Sequence, residues 1–142
     1  MTLSESLERV IQTWQRDGIG LLPPASEEQI HAVMNEIGQR TSADVVQFYR
    51  STGGFQDGHS DDHFWFLWPL DRVRDENAAR NGPRWTFSDY SIGVFFFCFQ
   101  YENEFASSVW WRGDGTDDYR VASSVAEFFE FYLMDPQRVS LF

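Results

Sequence analysis

Several residue types that carry particular chemistries are absent or scarce in this 142-residue sequence. All eleven basic residues are arginine, so lysine chemistry such as a Schiff base or a P-loop is excluded. Cys98 is the single cysteine, which excludes an internal disulfide and zinc sites built from several thiolates. No stretch approaches the roughly 18 to 20 consecutive apolar residues of a membrane-spanning helix, so no membrane partner is expected.

The N-terminal residues and the length narrow the class of protein further. The first ten residues, MTLSESLERV, contain two glutamates where a signal peptide has basic residues and then an apolar run. We therefore expect a cytoplasmic protein. A chain of this length with 42% hydrophobic and 18% aromatic residues is expected to form one domain with its own core. That domain spans residues 1–142, and residues 1–18 include an N-terminal helix.

The charge of the chain favours some partners over others. Twenty-two acidic residues oppose the eleven arginines, which gives a net charge of −11 at pH 7. Repulsion from phosphates argues against direct binding to DNA or RNA. A basic protein is the better match, including one that itself binds nucleic acid. Two acidic loops are the predicted partner-binding surface, and their residues are Asp57, Asp61, Asp62, Asp114, Asp117 and Asp118.

Helical periodicity dominates the first third of the chain. Apolar residues at a spacing of three and four predict helices over residues 2–17, 26–38 and 42–53. The first two begin with capping-box sequences, in which Ser or Thr is followed three residues later by Glu or Gln. Glycines mark all three ends.

Short strands follow Phe55. Apolar runs predict strands at 64–68, 91–99, 107–112 and 119–122, with a polar loop over 55–63 and a short helix after Pro69. A last helix begins at Ser123 or Ser124, with Glu127 as capping partner. Helices set apart from short strands predict an α+β fold with N-terminal helices, a central, mostly antiparallel sheet and a closing C-terminal helix.

The strand at 91–99 carries an expectation of its own. Because residues 95–99 are all apolar, both faces of this strand should be covered. We expect the N-terminal helices on one face. The closing helix, a second copy of the chain or the partner should then cover the other.

The sequence makes no positive case for catalysis or for a cofactor. Residues 59–63, HSDDH, are the one cluster of metal-ligand types, but they lack the helical spacing of a metalloprotease motif. A solvated loop is the preferred interpretation, and a metal-dependent hydrolase is a distant alternative. Residues 113–118, GDGTDD, miss the register of an EF-hand and predict a turn. Cys98 lies within FFFCF, where a thiol behaves as a small buried hydrophobe. We therefore expect no catalytic residue and no metal.

Six tryptophans are many for a domain of this size. Alternation along a strand places Trp110 and Trp111 on opposite faces. Because tryptophan is enriched at binding hot spots, any exposed ring is a candidate contact for the partner. Trp65 and Trp111 are the first candidates.

A set of motifs in a fixed order resembles the SUKH superfamily of Smi/Knr-type domains over about residues 21–136. The matching elements are Leu22-Pro23, Glu27-Glu28, Gly38, Gly53-Gly54, WPLDRV (68–73), FSDY (87–90) and VASSVAEFFEFYLMDP (121–136). Three positions depart from the pattern, namely Thr52, residues 40–42 and Val125, and none of them is a catalytic position of the superfamily.

The resemblance implies an α+β fold and a non-catalytic, protein-binding role. For bacterial members it implies an immunity protein that neutralises a polymorphic toxin, often a nuclease or a deaminase. The alternative within the same superfamily is a Smi/Knr-type regulatory interaction module without a toxin partner. The acidic composition agrees with the first interpretation, since a nuclease toxin has a basic, phosphate-binding surface.

Overall fold

The computed structural model describes residues 1–61, 65–80, 82–90, 95–113, 118–136 and 139. Within these residues the chain forms an opening group of helices, a five-stranded sheet interrupted by one helix, and a closing helix. In chain order the elements are α1 (Leu3–Arg16), α2 (Glu27–Ile37), α3 (Ala43–Ser51), β1 (Phe66–Leu67), α4 (Leu70–Asn77), β2 (Arg84–Tyr90), β3 (Phe95–Tyr101), β4 (Ser107–Gly113), β5 (Tyr119–Ala122) and α5 (Val125–Met134). This arrangement confirms the α+β class. None of the described helices has the length and apolar character needed to cross a bilayer.

The predicted capping boxes of α1 and α2 are both present. The Thr2 hydroxyl accepts from the Glu5 backbone N–H at 3.2 Å, and the Glu5 carboxylate accepts from the Thr2 N–H at 3.4 Å. Ser26 and Gln29 make the same reciprocal pair at the start of α2. These bonds satisfy N–H groups that have no partner within the helix.

The N-terminus of α3 is satisfied differently. Its N-cap residue, Ser42, makes no side-chain capping bond. Instead, the N–H groups of Ala43 and Asp44 donate to the carbonyl oxygens of Glu104 and Phe105 at 2.8 and 3.2 Å. The turn between β3 and β4 therefore caps α3, and it is fixed against the helix by the same bonds.

The sheet has the order β1-β2-β3-β4-β5, and every neighbouring pair is antiparallel. β5, which lies at the strand predicted over 119–122, forms one edge of the sheet. At the other edge β1 covers only two residues of β2. Beside it, the Asn77 side chain accepts from the Thr86 N–H and donates to the Thr86 carbonyl, both at 2.9 Å. Asn77 thus satisfies part of an open edge that would otherwise offer free backbone groups.

One face of the sheet, here called the inner face, packs against helices. Phe97 of β3 lies 5.4 Å from Phe128 of α5, measured between ring centroids. Phe99, two residues along the same strand, lies 6.2 Å from Phe48 of α3. α3 and α5 therefore share this face, because side chains two residues apart point the same way. Of the three covers expected for the opposite face, the closing helix is therefore excluded, because α5 packs on the inner face.

Two further expectations about the elements need correction. β2 (Arg84–Tyr90) lies in a stretch where the sequence pattern predicts no strand. Phe55 was placed at the start of an exposed loop, but it is fully buried and packs edge-on against Trp14 at 4.9 Å. The strand predicted at 91–99 is observed from Phe95, and its first four residues lie outside the described residues.

Candidate functional site

The face of the sheet opposite the helices, here called the outer face, carries long polar side chains. The Arg84 guanidinium lies 3.6 Å above the ring centroid of Trp110. The Trp110 indole N–H donates to the Ser108 hydroxyl at 2.8 Å. Cys98 is fully buried on this face, where its sulfur lies 3.5 Å from the Thr86 hydroxyl. The outer face is covered by its own side chains, together with Trp68 and Arg72 at one side.

Asp118 belongs to this outer face. One of its carboxylate oxygens accepts from Arg84 at 3.1 Å and from Arg112 at 3.3 Å. The Asp118 carboxylate is largely shielded from solvent, and two neighbouring arginines balance its charge. It therefore contributes little to the electrostatic field outside the protein. Asp114 and Asp117, the other acids predicted in this loop, lie outside the described residues.

The two tryptophans named as first candidates for a partner contact, Trp65 and Trp111, are both buried. Trp65 is 2% exposed and stacks on Trp14 at 5.6 Å. Trp111 is 9% exposed and lies on the inner face against Phe95 at 5.3 Å. Both rings face the core, Trp65 from the residue before β1 and Trp111 from β4. Trp110, on the outer face, is the half-buried one.

Asp61 and Trp65, which precede β1, are hydrogen-bonded to each other, and Asp61 is also bonded to α5. Its carboxylate accepts from the Tyr132 hydroxyl at 2.6 Å and from the Trp65 backbone N–H at 2.8 Å. Tyr132 in turn accepts from the Trp14 indole N–H at 2.9 Å, and burial raises the pKa of the Tyr132 phenol. A cavity of about 170 Å³ lies beside this chain of bonds. The Asp61 carboxylate is therefore used in hydrogen bonds within the fold. Its neighbour Asp62 lies outside the described residues.

Asp57 is exposed and lines a groove of about 430 Å³. Four acids line this groove, namely Asp57, Asp71, Asp75 and Glu76. Its arginine, Arg72, is engaged elsewhere, since it lies 3.3 Å from Asp89 and 4.4 Å above the Trp68 ring. The groove, here called the acidic groove, can attract a basic side chain from a partner.

Sequence reasoning overlooked the turn between β3 and β4. Phe105 is 71% exposed there, more than any other large hydrophobic residue that the structure describes. Asp44, close by, is 8% exposed and accepts from the N–H groups of Ser107 and Val125, both at 3.1 Å. An aromatic inside the polar segment ENEFA was the available signal for Phe105. Nothing in the pattern around Asp44 marked it as buried.

Cys98 and His59, two residue types often used in catalysis, are buried or hydrogen-bonded among the described residues. In that part of the chain, no group of three or more His, Cys, Asp or Glu side chains is placed to hold a metal ion. Burial raises the pKa of the Cys98 thiol, which disfavours the reactive thiolate. His59 accepts from the Gly20 N–H at 2.8 Å through Nδ1, while His63 lies outside the described residues.

The comparison with known families gives one match. The model of the SMI1 / KNR4 family (SUKH-1) matches residues 24–130. The matched span runs from the residues before α2 into α5 and includes the whole sheet. No curated protein matches the chain.

Proposed function

Since the chain belongs to the SMI1 / KNR4 family (SUKH-1), we propose that it is a non-catalytic immunity protein that binds and neutralises a bacterial polymorphic toxin in the cytoplasm. The family match over residues 24–130 is the observation that carries this proposal. The family implies protein–protein interaction, and a toxin is the partner that best suits this chain.

The charge of the chain supports a basic partner. A net charge of −11 favours rapid association with a positively charged protein, because opposite fields steer the encounter. A toxin that acts on nucleic acid needs a basic, phosphate-binding surface. The acidic groove concentrates exposed carboxylates on one side of the molecule, where such a surface would meet them.

A second function, a regulatory interaction module without a toxin, is favoured by the family description itself. The two functions differ in genome context. An immunity protein is encoded beside the gene of its toxin, which is a long secreted polypeptide, whereas a regulatory module has no such neighbour.

Co-expression with the product of the adjacent gene tests the proposal. We expect the C-terminal domain of that polypeptide to co-purify with this chain as a stoichiometric complex, and its toxicity to be suppressed. A complex that forms without suppressing toxicity would refute neutralisation, whereas the absence of any such neighbouring gene would favour the regulatory module. No complex at all would refute the immunity proposal.

A further inference from the structure

We infer that residues 102–106, the turn joining β3 and β4, present Phe105 as the apolar anchor for a basic protein partner. This inference rests on the proposed function and assigns it a contact surface. The turn is here called the anchor turn. It is separate from the acidic groove, whose lining comes from the residues around Asp57 and from α4.

Hydrogen bonds fix the backbone that carries the exposed Phe105 side chain. Within the anchor turn, the Asn103 side chain accepts from the N–H groups of Phe105 and Ala106 at 2.9 and 3.0 Å. Outside it, the carbonyls of Glu104 and Phe105 cap α3. The backbone on both sides of the ring is therefore held, so a partner that contacts the ring does not have to order the turn first.

The fold itself does not require a phenylalanine at this position. Turns of this kind favour small or polar residues, and a ring that is 71% exposed gains little from folding. Among the described residues, the other exposed large hydrophobic side chains are Met1, Met134 and Tyr119. The methionines are not aromatic, and Tyr119 is only 39% exposed, with its ring 5.0 Å from the Trp111 ring. Phe105 is the most exposed of these side chains, and it lies on a turn whose backbone is held by hydrogen bonds. Aromatic side chains of this kind are enriched at binding hot spots.

The charged residues around Phe105 indicate which kind of partner surface fits it. Glu102 and Glu104, both exposed, flank Phe105 within the turn. A groove of about 590 Å³ runs from Glu104 along α3. In this groove Glu27 and Arg50 form an ion pair at 3.6 Å, so their charges cancel each other.

Arg40 lies near the start of the anchor turn, with its guanidinium 4.6 Å from the ring centroid of Tyr101. The five residues of the anchor turn include two carboxylates and no basic residue. It fits an apolar pocket bordered by arginine or lysine side chains on the partner.

The test measures binding kinetics with the adjacent gene's C-terminal domain as the probe. We expect Phe105→Ala to weaken binding by about 30-fold or more, mainly through faster dissociation, because the ring becomes buried and desolvated in the complex. Glu104→Gln should slow association at low salt and have little effect at high salt. Both variants should unfold at the wild-type temperature, since both side chains are exposed.

Met134→Ala is the matched control. Met134 is 69% exposed and lies at the far end of α5 from Val125, which contacts Asp44 beside the anchor turn. Its removal should leave binding unchanged. Two results would overturn the assignment of Phe105 as the anchor and leave the proposed function standing. One is a Phe105→Ala affinity within threefold of wild type, and the other is an equal loss of affinity for Phe105→Ala and Met134→Ala. Failure of the wild-type chain to bind the probe would overturn both.

Discussion

The two faces of the central sheet bury their strands by different means. On the inner face, Phe87 and Phe99 stack at 3.8 Å between ring centroids, and aromatic rings from α3 and α5 close over them. On the outer face, Arg84 lies over Trp110 and is paired with Asp118. The first arrangement depends on removing apolar surface from water, and the second on aligned polar groups above a thin apolar layer.

This difference shows why a continuous apolar run does not imply helices on both sides. Phe96 and Cys98 point to the outer face, where Trp68 lies 6.1 Å from Phe96 and Thr86 contacts the Cys98 sulfur at 3.5 Å. Cover of this kind needs no second layer of secondary structure. The inner face should therefore dominate stability, while the outer face tolerates change.

The sharpest test of this contrast compares two phenylalanines in one strand. Phe99 on the inner face is fully buried, whereas Phe96 on the outer face is half-buried. We expect Phe99→Ala to lower the free energy of unfolding by about 3 to 5 kcal/mol, because it leaves a cavity among packed rings. Phe96→Ala should cost about 1 to 2 kcal/mol, since less surface is involved. Urea denaturation of both variants measures the difference, and equal losses would erase the distinction between the faces.

Buried polar groups on the helical side should matter nearly as much. The Asp44 carboxylate accepts from the Ser42 hydroxyl at 2.6 Å and from the N–H groups of Ser107 and Val125. Asp44→Asn turns one acceptor into a donor that faces a backbone N–H. We expect a loss of about 2 to 3 kcal/mol in the free energy of unfolding. A loss below about 1 kcal/mol would mean that the start of α5 does not depend on this carboxylate.

The same residue gives a pH dependence whose sign is defined. Burial raises the pKa of Asp44, although the hydrogen bonds it accepts partly oppose this. Folding therefore favours the protonated form, so the stability from this group is full below its unfolded pKa of about 4 and is lost as the pH rises through the folded pKa. The difference in free energy of unfolding between wild type and Asp44→Asn should shrink over this interval. A difference that grows with pH would show that the hydrogen bonds outweigh burial.

The sequence predicted local features better than distant contacts. The capping boxes of α1 and α2 are set by residues three positions apart, so they were predicted correctly. β2 was missed because Gly82-Pro83 indicates a loop, even though Trp85 and Phe87 already alternate with polar residues. Phe55 was misplaced because the polar residues after it hide its contact with Trp14.

The candidate site was harder to predict for the same reason. Asp118 looked like a free loop acid, but Arg84, 34 residues earlier, pairs with it. Asp61 is bound by Tyr132, 71 residues later. Such long-range pairs depend on strand order and helix placement, which single-sequence patterns do not contain. Asp57 was placed correctly as an exposed acid because nothing distant reaches it among the described contacts.

A smaller effect is expected on the outer face. Asp118→Asn removes the negative charge between Arg84 and Arg112, and the ion pair lies at the partly hydrated surface of the sheet. We expect a loss of about 1 kcal/mol or less, reduced further at high salt. Thermal and urea unfolding, run beside the matched Asp44→Asn variant, measure it. If Asp118→Asn costs as much as Asp44→Asn, the outer face contributes more to stability than its exposure suggests.

The smallest effect on stability, and a distinct effect on binding, is expected in the acidic groove. Asp57 and Glu76 are both exposed there, so the double variant Asp57→Asn/Glu76→Gln should keep its free energy of unfolding within about 0.5 kcal/mol of wild type. Its association with a basic partner should slow by about threefold at low salt and match wild type at high salt, because long-range steering is screened.

The control removes two charges elsewhere. Glu8→Gln/Glu28→Gln changes exposed acids on α1 and α2 that do not line the groove. Stopped-flow association at two ionic strengths compares the pairs. If both double variants slow association equally, total charge rather than the acidic groove sets the rate, and the approach of the partner has no preferred side. If only the groove variant is slow, the partner's basic surface approaches along the side of the molecule formed by α4.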